Sequence, residues 1–126
     1  MQTNLVGCTV GLVCGAVVEP GHTALFSATV CEPLMVSRLR WATTYERPFA
    51  IEHMGLVLQQ LKVGRMELGS SSMLSIDLTD RGVWRFPGER VLPGWSCAAT
   101  VTNCHSEPLR LVSLTLWGRR LRSDEL

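Results

Sequence analysis

Few side chains in this 126-residue chain have the type and spacing that perform chemistry. Ser70, Ser71 and Ser72 offer hydroxyls, but a serine nucleophile needs a histidine base and an orienting acid. The three serines follow Gly69 and read as a flexible connection. Glu46, Glu52 and Asp77 are the carboxylates that a paired acid/base hydrolysis would draw on. Asp77 and Asp80 read as caps of a turn, with calcium binding in a loop as the alternative. Cys97, Cys104 and His105 make a loose grouping of metal-ligand types, without the four ligands at familiar spacing that a zinc site needs. A glycine-rich phosphate loop and a dinucleotide fingerprint are both missing. The reading is a non-enzymatic chain with no catalytic residue, no metal and no cofactor.

The residues suited to contact are more informative. Trp41, Trp84, Trp95 and Trp117 stand in a chain with one tyrosine and three phenylalanines. Tryptophan packs cores and edges, and it also anchors protein contacts and forms platforms for sugars. Trp84, in a short turn-flanked segment between Val83 and Arg85, is the first candidate for an exposed contact. Arg119, Arg120 and Arg122 are the densest positive charge, followed by Asp124 and Glu125. They read as a solvated tail or as a clamp on a neighbouring subunit. Lys62 is the single lysine, so the basic residues are almost all arginine, which suits planar bidentate contacts.

A chain of 13.9 kDa is one domain, 1–126, able to hold a core without disulfide staples. Hydrophobic residues at 46% and charged residues at 18% exclude intrinsic disorder. The formal net charge of +1 argues against nucleic-acid binding through bulk electrostatics. Five cysteines, Cys8, Cys14, Cys31, Cys97 and Cys104, read as mostly buried, reduced, small hydrophobes from a reducing compartment. The apolar run Leu5 to Val18 is too short to span a bilayer and has no basic residue before it, so neither an anchor nor a secretory signal is expected.

These residues need elements to carry them, and the punctuation is that of β structure. Proline and glycine recur between short runs of valine, leucine, threonine and aromatics. Thr23–Val30 alternates, with Ala24, Phe26, Ala28 and Val30 on one face. Leu34–Ala42, Phe49–His53, Leu56–Val63 (a helical turn being the alternative), Arg65–Leu68, Met73–Leu78 and Val83–Phe86 follow as strands. Trp95–Asn103 places Trp95, Cys97, Ala99 and Val101 inward, and Leu109–Gly118 is the last strand. The tail 119–126 is charged and has no strand pattern. So many short strands in one domain predict an all-β, two-sheet antiparallel sandwich.

An internal echo bears on topology. Val18-Glu19-Pro20-Gly21, Ala28-Thr29-Val30 and Glu32-Pro33-Leu34 are matched by Val91-Leu92-Pro93-Gly94, Ala99-Thr100-Val101 and Glu107-Pro108-Leu109. Similar strand pairs at opposite ends of one chain suit a jelly roll, whose first and last strands lie side by side. An immunoglobulin-like sandwich is the alternative, although Cys31 and Cys97 lack the tryptophan placement of that fold.

The order of the Pro-Gly turn, Arg38-Leu39, Phe49-Ala50-Ile51, Leu61-Lys62-Val63-Gly64, Pro93-Gly94, Thr100-Val101-Thr102-Asn103 and Leu114-Thr115-Leu116-Trp117-Gly118 resembles small single jelly-roll structural proteins of virus and phage particles. The resemblance spans roughly Val18 to Gly118. It implies a subunit that self-assembles into a shell or decorates one, located in the virion and assembled in the host cytoplasm. Its partners would be copies of itself and other particle proteins, with no membrane and no dominant contact with nucleic acid. The N-terminus lacks the basic arm that such proteins often carry. The expected subunit interface uses Leu5, Val6, Val10, Leu12 and Val13, then Trp84, then Arg119, Arg120 and Arg122. The alternative is a carbohydrate-binding sandwich presenting exposed tryptophans.

Overall fold

The computed structural model describes residues 7–44, 55–68, 76–78 and 81–126. Alternation of apolar and polar side chains gives nine strands there: β1 (Gly7–Val18), β2 (Thr23–Thr29), β3 (Leu34–Thr43), β4 (Leu56–Val63), β5 (Met66–Leu68), β6 (Ile76–Asp77), β7 (Arg81–Val91), β8 (Ser96–Asn103) and β9 (Leu109–Arg120). They form two antiparallel sheets packed as a sandwich. One sheet has the order β1-β9-β3-β7, and the other β2-β8-β4-β5 with β6 also on β4.

The echoing segments pair with each other. β2 runs against β8, with Phe26 opposite Ala99 and Ala28 opposite Cys97. β3 runs against β9, with Leu39 opposite Leu116. First and last strands are neighbours through β1 and β9. Apolar side chains from the two inner faces fill the core: Leu39, Leu114 and Leu116 from one sheet meet Leu58, Leu61 and Val101 from the other, all fully buried.

Several expectations need correction. β1 is a full edge strand, and three glycines do not prevent it, because Val10, Leu12 and Val18 still fall on the inner face and are buried. β7 runs through Pro87 and Gly88 where a break was expected. Proline removes one N–H donor, and an edge strand can leave that position without a partner. β9 continues through Arg119 and Arg120, and a 3-10 turn at Ser123–Glu125 follows, so part of the tail is strand. Leu56–Val63 is a strand and not a helical turn. The expected strand Phe49–His53 and the loop Ser70–Ser72 lie outside the described residues. Of Met73–Leu78, the described part is Ile76–Asp77, which forms β6, and the buried Leu78 that follows it.

Two glycines are required by close approach. At Gly82 on β7 a Cβ would fall 2.5 Å from the Trp41 ring, so the indole lies directly on the glycine backbone. At Gly118 on β9 a Cβ would run into the carbonyl of Met35 on β3.

Asn103 closes one end of the sandwich. It is fully buried, and its amide donates to the carbonyls of Val18 (2.7 Å) and Glu107 (2.9 Å). Its side-chain oxygen accepts from the His105 N–H at 2.7 Å, an Asx turn that starts the β8–β9 connection. Its backbone bonds His22 and Gly21, so one residue joins the β1–β2 turn to the β8–β9 turn.

Candidate functional site

The cysteines differ from expectation. Among the cysteines whose side chains are described, Cys97 is buried and Cys14, Cys31 and Cys104 are exposed. Cys14 faces outward opposite Ser113, and Cys31 and Cys104 stand beyond strand ends, where alternation no longer turns them inward. Burial pushes the Cys97 thiol up from its ordinary value. Among the described residues no three of His, Cys, Asp and Glu gather as metal ligands. Asp77 is half-buried on β6, while Glu46, Glu52 and Asp80 lie outside the described residues.

The expected contact residues divide. Leu5 and Val6 lie outside the described residues. Val10 and Leu12 are spent on the core, and Val13 packs against it. Trp84, expected outside, is turned inward because it is in register with Leu39, and its ring sits 5.4 Å from that of Phe86. The arginines of the tail are engaged within the chain. Arg119 grips Glu125 with both terminal nitrogens at 2.8 and 2.7 Å, Arg120 meets Glu32 at 3.0 Å, and Arg122 lies 3.5 Å from both Asp124 and Glu125.

Two surfaces are left. The first is a flank on which β1 and β2, the terminal strands of the two sheets, lie over one another. Among the described residues no strand pairs with either outer edge. A groove of about 380 Å³ opens there between Thr9–Gly11 and Ala28–Glu32. Val17, 52% exposed, and Leu25, 69% exposed, are apolar side chains left in solvent on these two strands.

The second is the outer face of the four-stranded sheet, which sequence reasoning missed. Register aligns outward side chains into rungs: Thr9, Trp117, Arg38 and Arg85; then Gly11, Thr115, Arg40 and Val83; then Cys14, Ser113, Ala42 and Arg81. Trp117 is half-buried, with the guanidinium carbons of Arg38 and Arg40 at 5.4 and 5.2 Å from its ring centre. A groove of about 440 Å³ runs beside it, lined by Arg40, Arg81, Trp41, Ser113 and Thr115 among others. The Trp41 Nε1 is shielded there with no acceptor among the described residues.

The two sheets differ sharply in charge. The strands β1, β3, β7 and β9 carry Arg38, Arg40, Arg81, Arg85, Arg90, Arg110, Arg119 and Arg120 against one acid, Glu89. The strands of the other sheet carry no arginine, and Lys62 faces Glu67 across β4 and β5. On the outer face of that sheet Gln59, Thr102 and Thr23 are joined by hydrogen bonds of 2.6 and 2.8 Å. The sequence signal for the arginine face was the alternation Arg38-Leu39-Arg40 and Arg81 to Arg85, which is readable only once β3 and β7 are known to be neighbours. Comparison of the chain with models of known protein families, and with curated proteins, finds no match.

Proposed function

We propose that this chain is a non-enzymatic structural subunit of a virus or phage particle, with a jelly-roll sandwich that assembles through its open flank. The observation that carries the reading is the flank of two strand edges that have no partner among the described residues, β1 above β2, with the groove between them. Exposed edges present a row of backbone donors and acceptors and are natural pairing sites between copies. Soluble monomers usually blunt them with charge, but β1 and β2 contain no charged residue at all. Symmetric assemblies reuse one such surface many times. The jelly-roll reading is supported by strand order. β1 to β4 alternate between the sheets, β7 to β9 do so again, and β1 lies beside β9 and β2 beside β8.

Light scattering of the purified protein with negative-stain images tests the assembly. Uniform rings or shells, lost in Val17→Lys with Leu25→Lys, are expected. A 13.9 kDa monomer at all concentrations and salt levels would overturn the reading.

A further inference from the structure

We propose that the arginine-coated outer face of the four-stranded sheet binds single-stranded nucleic acid, with phosphates held by Arg38, Arg40, Arg81 and Arg85 and a base stacked on the Trp117–guanidinium layer. The inference stands apart from the assembly reading, because one protomer carries the whole face.

Charge is the first argument. None of these four arginines, nor Arg110 further along the same sheet, has a carboxylate within ion-pair distance among the described residues, whereas Arg119, Arg120 and Arg122 all do. Arg38 and Arg85 are directly opposed across β3 and β7. Like charges facing one another across strands destabilise a sheet, and a bound anion removes that cost. The net charge of +1 conceals the patch, since the described strands of this sheet carry only one acid, Glu89, among eight arginines. Association is governed by local potential more than by the total.

Shape and residue type narrow the anion. Arginine binds phosphate through a planar fork and also associates with aromatic rings, and the guanidinium carbons of Arg38 and Arg40 stand over the Trp117 ring at 5.4 and 5.2 Å from its centre. Bases stack on indole rings and on guanidinium planes alike. From Arg81 to Arg85 the strand advances roughly 14 Å, and Arg38 and Arg40 stand about 7 Å apart alongside. Such an array follows an extended backbone. The stacking surface requires bases that are not already paired and stacked, which selects single strands over duplex. An acidic peptide would use the cations and leave the indole without a role.

The test is fluorescence anisotropy with a fluorescein-labelled oligouridylate of about 12 nucleotides, within the usual span for such surfaces. Four phosphate contacts predict that log K falls against log salt with a slope of about −3, near 0.7 per phosphate for single strands. Between about 50 and about 200 mM salt, binding then weakens roughly 50-fold. Arg40→Ser with Arg81→Ser removes two contacts and brings the slope to about −1.4. Lys62→Ser, on the opposite face, leaves binding unchanged, and stacking quenches tryptophan emission. Absence of binding at low salt would overturn the proposal, as would equal binding by the double variant. Equal affinity for a duplex, or equal competition by polyglutamate, would also overturn it by removing the stacked base from the account.

Discussion

Replacing Asn103 by alanine tests whether the closed end of the sandwich depends on one buried amide. Three side-chain hydrogen bonds disappear: those to the Val18 and Glu107 carbonyls and that from the His105 N–H. Val18 is itself buried, so its carbonyl stays unsatisfied at a cost of about 1–3 kcal/mol. Glu107 is exposed and His105 half-buried, so water replaces those bonds and the loss is about 0.5–1.5 kcal/mol each. The total is about 2–6 kcal/mol, a large share of the ~5–15 kcal/mol that holds a domain of this kind.

Urea unfolding followed by tryptophan emission measures it. With a slope of about 2 kcal/mol per molar, a loss of ~3 kcal/mol lowers the midpoint by about 1.5 M. Asn103→Asp keeps an acceptor for His105 but sets a carboxylate against two carbonyls. It is expected to cost at least as much at neutral pH and to recover partly as acid protonates the new group. A midpoint shift below about 0.5 M for Asn103→Ala, at unchanged slope, would refute the reasoning.

Gly118→Ala places a methyl against the Met35 carbonyl, and neither backbone can retreat without breaking the β3–β9 ladder. A loss of roughly 3 kcal/mol or more is expected, read as thermal midpoint or soluble yield, while Gly11→Ala, with open space around its Cβ, serves as the tolerated control. In a Cys8→Ser background, Ellman's reagent should find Cys14, Cys31 and Cys104 in the native protein and Cys97 only after denaturation, because burial keeps that thiol covered and protonated. The Arg119 guanidinium, helped by the Arg122 N–H, holds the Glu125 carboxyl down at about 2, against an ordinary 4.5. The folded value lies below the unfolded one, so this contribution to stability is present above about 4.5 and drains away as pH falls toward about 2. A carbon NMR titration checks it; Arg119→Gln should raise the value, and a native value near the ordinary one would refute the pairing.

The strands that could be read from sequence were those with clean alternation and one buried face. β2 and β8 declared their inward residues correctly, from Ala24 to Val30 and from Cys97 to Val101, since a pleated strand leaves no other choice. β1 was obscured because its apolar residues run almost without interruption, so that the inward set, Val10, Leu12 and Val18, could not be separated from Val17 on the outside. Trp84 was misjudged for a related reason. Its facing depends on registry with Leu39, a partner far away in the chain. The arginine face is the extreme case. Each arginine alone is an ordinary outward residue, and only the order β9-β3-β7 brings Arg38, Arg40, Arg81 and Arg85 around Trp117.

Edges and faces of a sandwich are separate surfaces, and that separation makes the two proposals independently testable. Pairing at β1 and β2 would use backbone groups in the planes of the sheets, whereas the arginines stand perpendicular to the β3, β7 and β9 backbones. Copies joined at their flanks would therefore keep their arginine faces uncovered. Each added subunit would present another set of cations to the same strand of nucleic acid. Linked sites raise avidity without any new contact, provided the ligand can span them. Leu25→Lys, on the sheet without arginines, should then weaken assembly while leaving a short oligouridylate bound to each protomer. Arg40→Ser with Arg81→Ser should do the opposite. If both substitutions instead removed both properties, flank and face would be one site, and the geometric separation argued from strand order would be wrong.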